Sequence, residues 1–414
     1  MARHELFTGL DIGSSAIRVV VGQPNPAGEG LTILGAAEGP SEGISKGSIT
    51  SIEDAVSAIS STLEKAERMT GVPVEETVVS INGPQIVSQD SHGIVAVAKA
   101  DGEIKQNDID RVLEAAQAVA TPPNFDILHR VPRSFTVDNQ HGVKDPIGMS
   151  AMRLEVDAQI IQVPTAQLKN LEKAIYRTNV SISDIVLSVF ASSYACVTKR
   201  QKELGAALIN MGAATTSLMV FEEGDVLHTK VIPVGAAHIT NDIAIGLRIS
   251  IDLAEKVKME YGTAMSSDVQ KHDEVNLRDL GGEDVAIPRK HIAEIIEARV
   301  EEILKMVDRE LQQIDRSGLL PAGAIITGGG SKLPGLIEVA KREFRLPAAV
   351  GLPVNYSSAI EKIHDPAYTT ALGLVSWATD TRGTGGMMSA ISGGMGNVGQ
   401  TVDSMRRWFK GLLP

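Results

Sequence analysis

The sequence predicts an α/β fold built on a duplicated strand–turn–strand unit, and three observations predict it. The first unit is LDIGSSAIRVVVG, from Leu10 to Gly22, and the second is ALINMGAATTSLMVFEEG, from Ala207 to Gly224. Each is an apolar run, an acid or amide two residues before a glycine, a few small residues, and a second apolar run. The third observation is AIITGGGSKLPGL, from Ala324 to Leu336, a buried-strand pattern followed by a glycine triplet and a helix start. Turns rich in Gly, Ser, Thr and Ala let backbone N–H groups approach an anion with no side chain in the way. Two such hairpins facing each other would hold a polyphosphate from both sides.

The elements follow in order. Residues 6–84 read as strands, a helix and a further strand. Ile52, Val56, Ile59 and Leu63 repeat at helical spacing, Ser51 with Asp54 marks the start, and Gly71 marks the end. TVVSING (77–83) is a buried strand and turn. Residues 85–162 read as an inserted α+β module. Ile94, Val95 and Val97 indicate a strand, and Ile109, Val112, Leu113 and Ala116 an amphipathic helix. DILHRVPRSFTVD (126–138) and MRLEVDAQIIQVP (152–164) are alternating strands joined by a Gly/Pro loop. His92, His129 and His141 are scattered and read as surface or hydrogen-bonded histidines. Residues 165–196 are a helix and strand, and the segment around 248–305 is charged and helical. In DPAYTTALGLVSWA (365–378), Ala371 and Gly373 suit a helix that packs closely against another, as at a hinge. Residues 380–402 are rich in Gly, Ser and Met without a period, a linker with a reach of roughly 25 Å.

Composition excludes several functions. The chain has 414 residues, too many for one compact core. Its 39 Lys plus Arg against 51 Asp plus Glu give a net charge of −12, which disfavours nucleic acid as a partner. The one cysteine, Cys196, permits no internal disulfide or Cys-based metal site. The N-terminus lacks an apolar signal core, and no stretch is apolar enough to span a bilayer, so neither export nor membrane crossing is expected.

With the hairpins and the glycine triplet in this order, the chain resembles the actin/Hsp70/sugar-kinase superfamily. Within it the chain resembles the FtsA family of bacterial division proteins. The closer match is carried by DNQHGVKDPIGMSAMRLEV (138–156), FASSYACVTKRQKELG (190–205), HTKVIPVGAAHITNDIAIGL (228–247) and SMRRWFKGLLP (404–414), and it runs from about Phe7 to the last residue. The resemblance implies a two-lobed actin-like (ribonuclease-H-like) ATPase fold. Residues 1–84, 163–197 and 351–379 would form the first lobe, with 85–162 as the family's inserted subdomain. Residues 198–247 and 306–350 would form the second lobe, with 248–305 as its outer subdomain. Residues 380–402 would link this body to an amphipathic helix, 403–414.

The resemblance also assigns an ATP site. Asp11 would hold the water shell of Mg²⁺, as one or two carboxylates commonly do. Gly13, Ser14 and Ser15 would contact phosphate, and Arg18 would reach it. Asn210 stands where many superfamily members carry Asp; an amide hydrogen-bonds metal water but cannot act as a base. Gly212, Ala213, Ala214, Thr215 and Thr216 would grip phosphate from the second lobe. Glu255 and Lys258, one face of a helix, would contact the nucleoside, as would the backbone of Gly328, Gly329 and Gly330 with Lys332 nearby. The water-orienting glutamine of actin falls by loose count near Leu171, which cannot serve. No catalytic residue is assigned, and slow or negligible hydrolysis is expected.

The tail carries separate chemistry. Met405, Trp408, Phe409, Leu412 and Leu413 fall on one helical face, with Arg406, Arg407 and Lys410 on the other sides. A helix this short is unstable alone in water. It reads as an interfacial anchor for anionic lipid, with its own core or another protein's groove as rival docking sites. The resemblance implies further partners. They are the acidic C-terminal peptide of FtsZ, met by Arg289 and Lys290 plus Arg299 on a following helix; other copies of the chain in filaments; and later division proteins at the inserted subdomain. It implies a peripheral location on the cytoplasmic face of the inner membrane at the division site, where the protein tethers the FtsZ ring. A pilus-assembly scaffold of the PilM type is the alternative, and a small-molecule kinase a third reading that lacks a substrate-facing base.

Overall fold

The computed structural model describes residues 5–25, 30–97, 102–118 and 122–383. The chain opens with β1 (Phe7–Ile12), β2 (Ala16–Pro24), β3 (Leu31–Pro40) and a two-rung hairpin of β4 (Ile44–Ser45) and β5 (Ser48–Ile49). Helix α1 (Ile52–Thr70) and β6 (Glu76–Ile81) follow. Ser51 caps α1 by accepting the Asp54 N–H at 3.4 Å, and Gly71 ends it in the left-handed conformation, φ 71°.

The inserted module comprises β7 (Val87–Ala96), α2 (Gln106–Ala118), β8 (Phe125–Val137), β9 (Gln140–Val143) and β10 (Arg153–Pro164). Its sheet runs β7-β10-β8-β9, all antiparallel, with α2 on one face over a separate core that includes Ile109, Phe135 and Leu154. The Gly/Pro loop expected between the two long strands contains β9 as an extra edge strand. His129, expected at the surface or fully hydrogen-bonded, is instead wholly buried between β8 and the first-lobe core. Its Nε2 accepts the Leu187 N–H at 3.0 Å, Nδ1 has no protein partner, and burial pushes its pKa down to about 3.

The chain returns through α3 (Thr165–Tyr176), β11 (Ser181–Leu187) and α4 (Ser188–Cys196). The second lobe then supplies α5 (Lys199–Leu204), β12 (Ala206–Met211), β13 (Thr216–Glu222), β14 (Asp225–Ile232), α6 (Ala236–Leu247) and α7 (Ile251–Tyr261). It continues with the short pair β15 (Glu274–Asn276) and β16 (Ala286–Pro288), then α8 (Arg289–Gln313), β17 (Gly323–Thr327), α9 (Leu336–Phe344) and β18 (Ala348–Val350). The chain closes on the first lobe with β19 (Tyr356–Ser357) and α10 (Thr369–Gly383).

The two main sheets repeat one plan. The first runs β11-β6-β1-β2-β3-β19 and the second β18-β17-β12-β13-β14. In each, an antiparallel three-strand meander is extended past its first strand by two parallel strands, and in the first sheet β19 adds a parallel strand beside β3. β1 and β12 lie inside their sheets, and every residue of both is buried, as expected for strands covered on both faces. The second sheet alternates its side chains between two cores. Leu208, Met219, Phe221 and Ile325 join the first-lobe core, while Ile209, Leu218, Val220 and Ile326 pack under α6, α8 and α9. Thus one apolar core runs across the lobes.

Helices α4 and α10 cross side by side at this junction. Gly373 of α10 lies against the Ala191 carbonyl of α4, so close that a Cβ there would overlap the backbone. Gly9 of β1 is pressed in the same way against the Ala371 carbonyl. Small residues at these positions let the two helices meet backbone to backbone. Helix α10 continues through Gly383, past the point where the sequence reading begins its linker. The terminal segment with Met405, Arg406, Arg407, Trp408, Phe409, Lys410, Leu412 and Leu413 lies outside the described residues.

Candidate nucleotide site between the lobes

The β1–β2 and β12–β13 hairpins have matching registers. Asp11 pairs with Arg18 and Ile12 with Ile17 in the first; Asn210 pairs with Ser217 and Met211 with Thr216 in the second. Both turns close the same way, with Gly13 N–H donating to the Ala16 carbonyl at 3.2 Å and Gly212 N–H to the Thr215 carbonyl at 2.9 Å. The carbonyls of Gly212 and Ala213 accept from Ala236 and Ala237 at the start of α6. Among the described residues, the N–H groups of Ser14, Ser15, Ala213 and Ala214 have no protein acceptor. Each turn therefore offers a pair of uncommitted donors, the arrangement that suits an anion.

Asp11 is buried, and its Oδ1 accepts the Ser80 hydroxyl at 2.6 Å. Burial raises its pKa, while the Ser80 hydrogen bond and the charge of Arg18 oppose the rise. Arg18, opposite Asp11 on the neighbouring strand, is committed through Nε to Glu38 at 3.0 Å and lies over the Tyr368 ring. Asn210 occupies the equivalent place in the second hairpin but turns its amide elsewhere. Its Nδ2 donates to Ser192 Oγ of α4 at 2.8 Å and to Thr370 Oγ1 of α10 at 3.2 Å. It is a pin in the hinge, with only its oxygen side left toward the glycine triplet.

Several of the expected site residues already have partners within the protein. The Thr216 hydroxyl is fully buried and donates to the Val234 carbonyl at 2.8 Å. Thr215 Oγ1 takes a hydrogen bond from Asn82 of the first lobe at 3.2 Å. Glu255 and Lys258 do share a face, but they pair with each other at 2.6 Å and both bond Thr240. Lys332 forms an ion pair with Asp365 at 2.6 Å. Burial disfavours the Asp365 charge, yet the Lys332 ammonium and the Ala367 N–H outweigh it and hold that carboxyl below its usual range. Leu171 lies in the first-lobe core.

The glycine triplet packs against the second hairpin. Gly328, at φ 85°, would drive a Cβ into Asn210 and Met211, and Gly330 would drive one into Met211. Gly329 differs, since a Cβ there meets nothing within 4 Å. Its Cα faces open space, the side from which a bound group would approach. Arg289, Lys290 and Arg299 are not one patch. All three lie on α8, where ten residues separate the first from the last by about 15 Å. Arg299 is held by a bidentate pair with Asp242 and a further contact with Glu302, and Arg289 pairs with Asp273 at 3.6 Å.

The sequence reading missed Ser80, Asn82, Gln167, Ser192, Ser217 and Thr370. Asn82 and Ser80 had one available signal. They sit at the carboxyl end of a parallel strand beside β1, where open α/β sheets place their ligands. A separate cavity of about 530 Å³ lies between the inserted sheet and the β13–β14 turn. Its charges largely satisfy one another, as in Arg133–Asp90 and Lys144–Asp225, and it contains no residue of the paired turns.

Comparisons with known proteins agree with this architecture. A family profile described as "Cell division protein FtsA" matches residues 207–373, and one described as "SHS2 domain inserted in FTSA" matches residues 83–162. The chain is 34% identical over 412 residues to cell division protein FtsA of Pseudomonas aeruginosa, spanning 98% of each chain. It is 38% identical over 379 residues to that of Bacillus subtilis, covering 91% of this chain and 84% of the other. The chain belongs to the FtsA family of cell division proteins.

Solved structures support the actin-like fold of this FtsA-family chain. The PilM–PilN type IV pilus biogenesis complex superposes with a TM-score of 0.67 at 17% identity, covering 90% of this chain and 98% of that one. MreB5 of Spiroplasma citri bound to ADP superposes with a TM-score of 0.52 at 13% identity, covering 91% and 97%. At such identities the likeness concerns fold alone. The pilus-scaffold alternative therefore rests on shared architecture, whereas the FtsA match spans nearly the whole sequence.

Proposed function

We propose that the chain binds Mg²⁺–ATP between its two hairpins with slow or negligible hydrolysis, polymerises, and tethers FtsZ polymers to the inner membrane at the division site. The observation that supports the nucleotide reading best is the pair of turns with uncommitted N–H groups at Ser14, Ser15, Ala213 and Ala214. Among the described residues no cluster of three His, Cys, Asp or Glu side chains could hold a metal. Asp11 alone fits Mg²⁺, because phosphate and water supply most of that ion's ligands. When bound, the ion would neutralise charge on the terminal phosphates. The protein would supply turn amides to orient those phosphates, Asp11 to hold the ion's water, and Gly329 to admit the adenosine.

Slow turnover follows from what the second hairpin lacks. A general base must reach the proton it removes. Asn210 cannot accept one, and its amide nitrogen is spent on Ser192 and Thr370. The acidic peptide of FtsZ is assigned to the outer part of the second lobe, at the start of α8 near Arg289 and Lys290, with Arg299 removed from that set. Later division proteins are assigned to the inserted subdomain.

The membrane assignment rests on residues 403–414. Burying Met405, Trp408, Phe409, Leu412 and Leu413 would contribute on the order of 5–10 kcal/mol gross, and each cation about 1 kcal/mol near anionic lipid. Ordering roughly ten backbone residues costs about 1–2 kcal/mol each. One tail would bind weakly, and a filament displaying many would bind through avidity. Sedimentation with anionic vesicles, with and without ATP, tests this. The parent should pellet with vesicles when ATP is present, and Trp408→Glu with Phe409→Glu should stay in solution. Equal pelleting of both proteins would move the anchor elsewhere.

A further inference from the structure

A hydrogen-bonded chain joins the two hairpins by a route through the first lobe rather than through the space between them. It begins at Ser14 in the first turn, whose Oγ accepts the Gly47 N–H at 2.9 Å. Gly47 lies in the tight β4–β5 turn at φ 76°, and a Cβ there would run into the Asn82 carbonyl. The Gln167 side chain of α3 then bridges the next step. Its Nε2 donates to the Gly47 carbonyl and to the Asn82 carbonyl, each at 3.0 Å. Asn82 completes the crossing, with Nδ2 donating to Thr215 Oγ1 at 3.2 Å and to Ser217 Oγ at 3.1 Å in the second hairpin.

The chemistry fixes both amide orientations. Gln167 faces two carbonyl oxygens, so only its NH₂ can point at them. Its Oε1 is buried with no protein partner, and the two donated bonds hold the side chain in place despite that loss. Asn82 Oδ1 accepts the Gly83 N–H at 3.0 Å, which leaves its NH₂ for the hydroxyls across the cleft. Asn82 is half-buried, and the small cavity beside it, about 10 Å³, is lined by Gly47, Ser80 and Gln167 as well. There is little room for any of these groups to move alone.

We propose that Ser14, Gly47, Gln167 and Asn82 form a relay that couples the first phosphate turn to the second, so that displacement of one turn is passed to the other. This rests on the reading of both turns as phosphate grips. Asn82 and Gln167 are positioning residues, since they act by setting where the Thr215–Ser217 strand start stands relative to Ser14. A phosphate that draws the Ser14 hydroxyl toward itself weakens its hold on Gly47, and the relay then releases or reseats Asn82. The coupling is thus a property of the nucleotide-free protein and exists before any ligand arrives.

Hydrogen exchange on the full-length protein without nucleotide tests it. Ser14→Ala removes the acceptor at one end, and Gln167→Glu keeps shape but loses both donors. Both should speed exchange at the hydrogen-bonded amides of Gly212, Thr216 and Ser217 severalfold, although the Ser14 hydroxyl bonds Gly47 and not that segment. Ser14→Thr keeps the oxygen and should hold the parent rate. Cooperative thermal unfolding of each variant checks that the fold is retained, and Asn82→Ala serves as the variant that breaks the crossing directly. If Asn82→Ala speeds exchange at 212–217 but Ser14→Ala and Gln167→Glu leave the parent rate, the relay is overturned and Asn82 is only a local strut. Calorimetric titration of Mg²⁺–ATP into the parent addresses the phosphate-grip reading separately. Absence of binding would remove that reading whatever the exchange rates show.

Discussion

The first and second hairpins have the same register and opposite employment. Asp11 keeps a carboxylate at the mouth of its turn, steadied by Ser80. Asn210 stands at the same register position, yet its amide faces backward and joins Ser192 and Thr370 of the two crossing helices. On the proposed reading one hairpin keeps a carboxyl for a ligand, and the other carries a brace. A duplicated fold keeps its backbone geometry because strand pairing and core packing demand it. The side chain at the turn is free to diverge, because it serves the site rather than the sheet. On the proposed reading the cleft would grip a polyphosphate from both sides, with no base on the second lobe's hairpin.

The largest effect should come from the glycine triplet that packs against the second hairpin. Gly329→Val projects a branched side chain from a position where a Cβ meets nothing within 4 Å. It should lower nucleotide affinity by at least on the order of a hundredfold while leaving thermal unfolding cooperative, as calorimetry and circular dichroism would show. Wild-type affinity in this variant would remove the triplet from the site.

Next is the hinge on which the second hairpin is braced. Gly373→Val forces a side chain into the Ala191 carbonyl where α10 crosses α4. Overpacking of this kind costs about 1–3 kcal/mol or more, so the melting temperature should fall by several degrees. Asn210→Ala, which leaves the Ser192 and Thr370 hydroxyls with less to bond, should cost a similar about 1–3 kcal/mol. The equivalent change at Asp11 should not destabilise the nucleotide-free protein, because it removes a carboxyl whose charge burial disfavours.

How much of this was legible in the sequence depends on the range of the signal. The hairpins, the triplet and α1 were readable because their residues are close in sequence and carry period or turn chemistry. The inserted module was readable from alternating strands, and the profile of the inserted domain matches residues 83–162. Asn82, Gln167 and Ser192 were not, since each is a single polar residue whose partner is remote in the chain. Arg299 shows the same limit from the other side. Its charge was visible, but the Asp242 that neutralises it lies on α6 and becomes a neighbour only when α8 packs there. Glu255 with Lys258 was legible as a face and not as a closed pair with Thr240.

The smallest predicted effect concerns the first-lobe side of the hinge. Trp377 of α10 donates to Asp184 Oδ2 at 2.8 Å, and burial raises the Asp184 pKa to about 6 against the Trp377 and Ile185 hydrogen bonds. The folded state thus holds a proton that the unfolded state releases at lower pH. That contribution is complete below the unfolded value near 4 and is lost as pH rises through about 6. Asp184→Asn, which keeps an acceptor for Trp377, should therefore stabilise the protein at pH 7.5 and change little at pH 4. Melting curves across that range give the test, and a gain at pH 4 instead would reverse the assignment.

The division of labour between the hairpins is tested most directly by calorimetric titration of ATP, with and without Mg²⁺, into Asp11→Asn and Asn210→Ala. Asp11→Asn should lose affinity on the order of tenfold or more with Mg²⁺ present and little without it. Asn210→Ala should change affinity by the same factor in both conditions, because it loosens the brace rather than the ion's water shell. A selective loss of the Mg²⁺-dependent part in Asn210→Ala, with Asp11→Asn binding like the parent, would contradict the account.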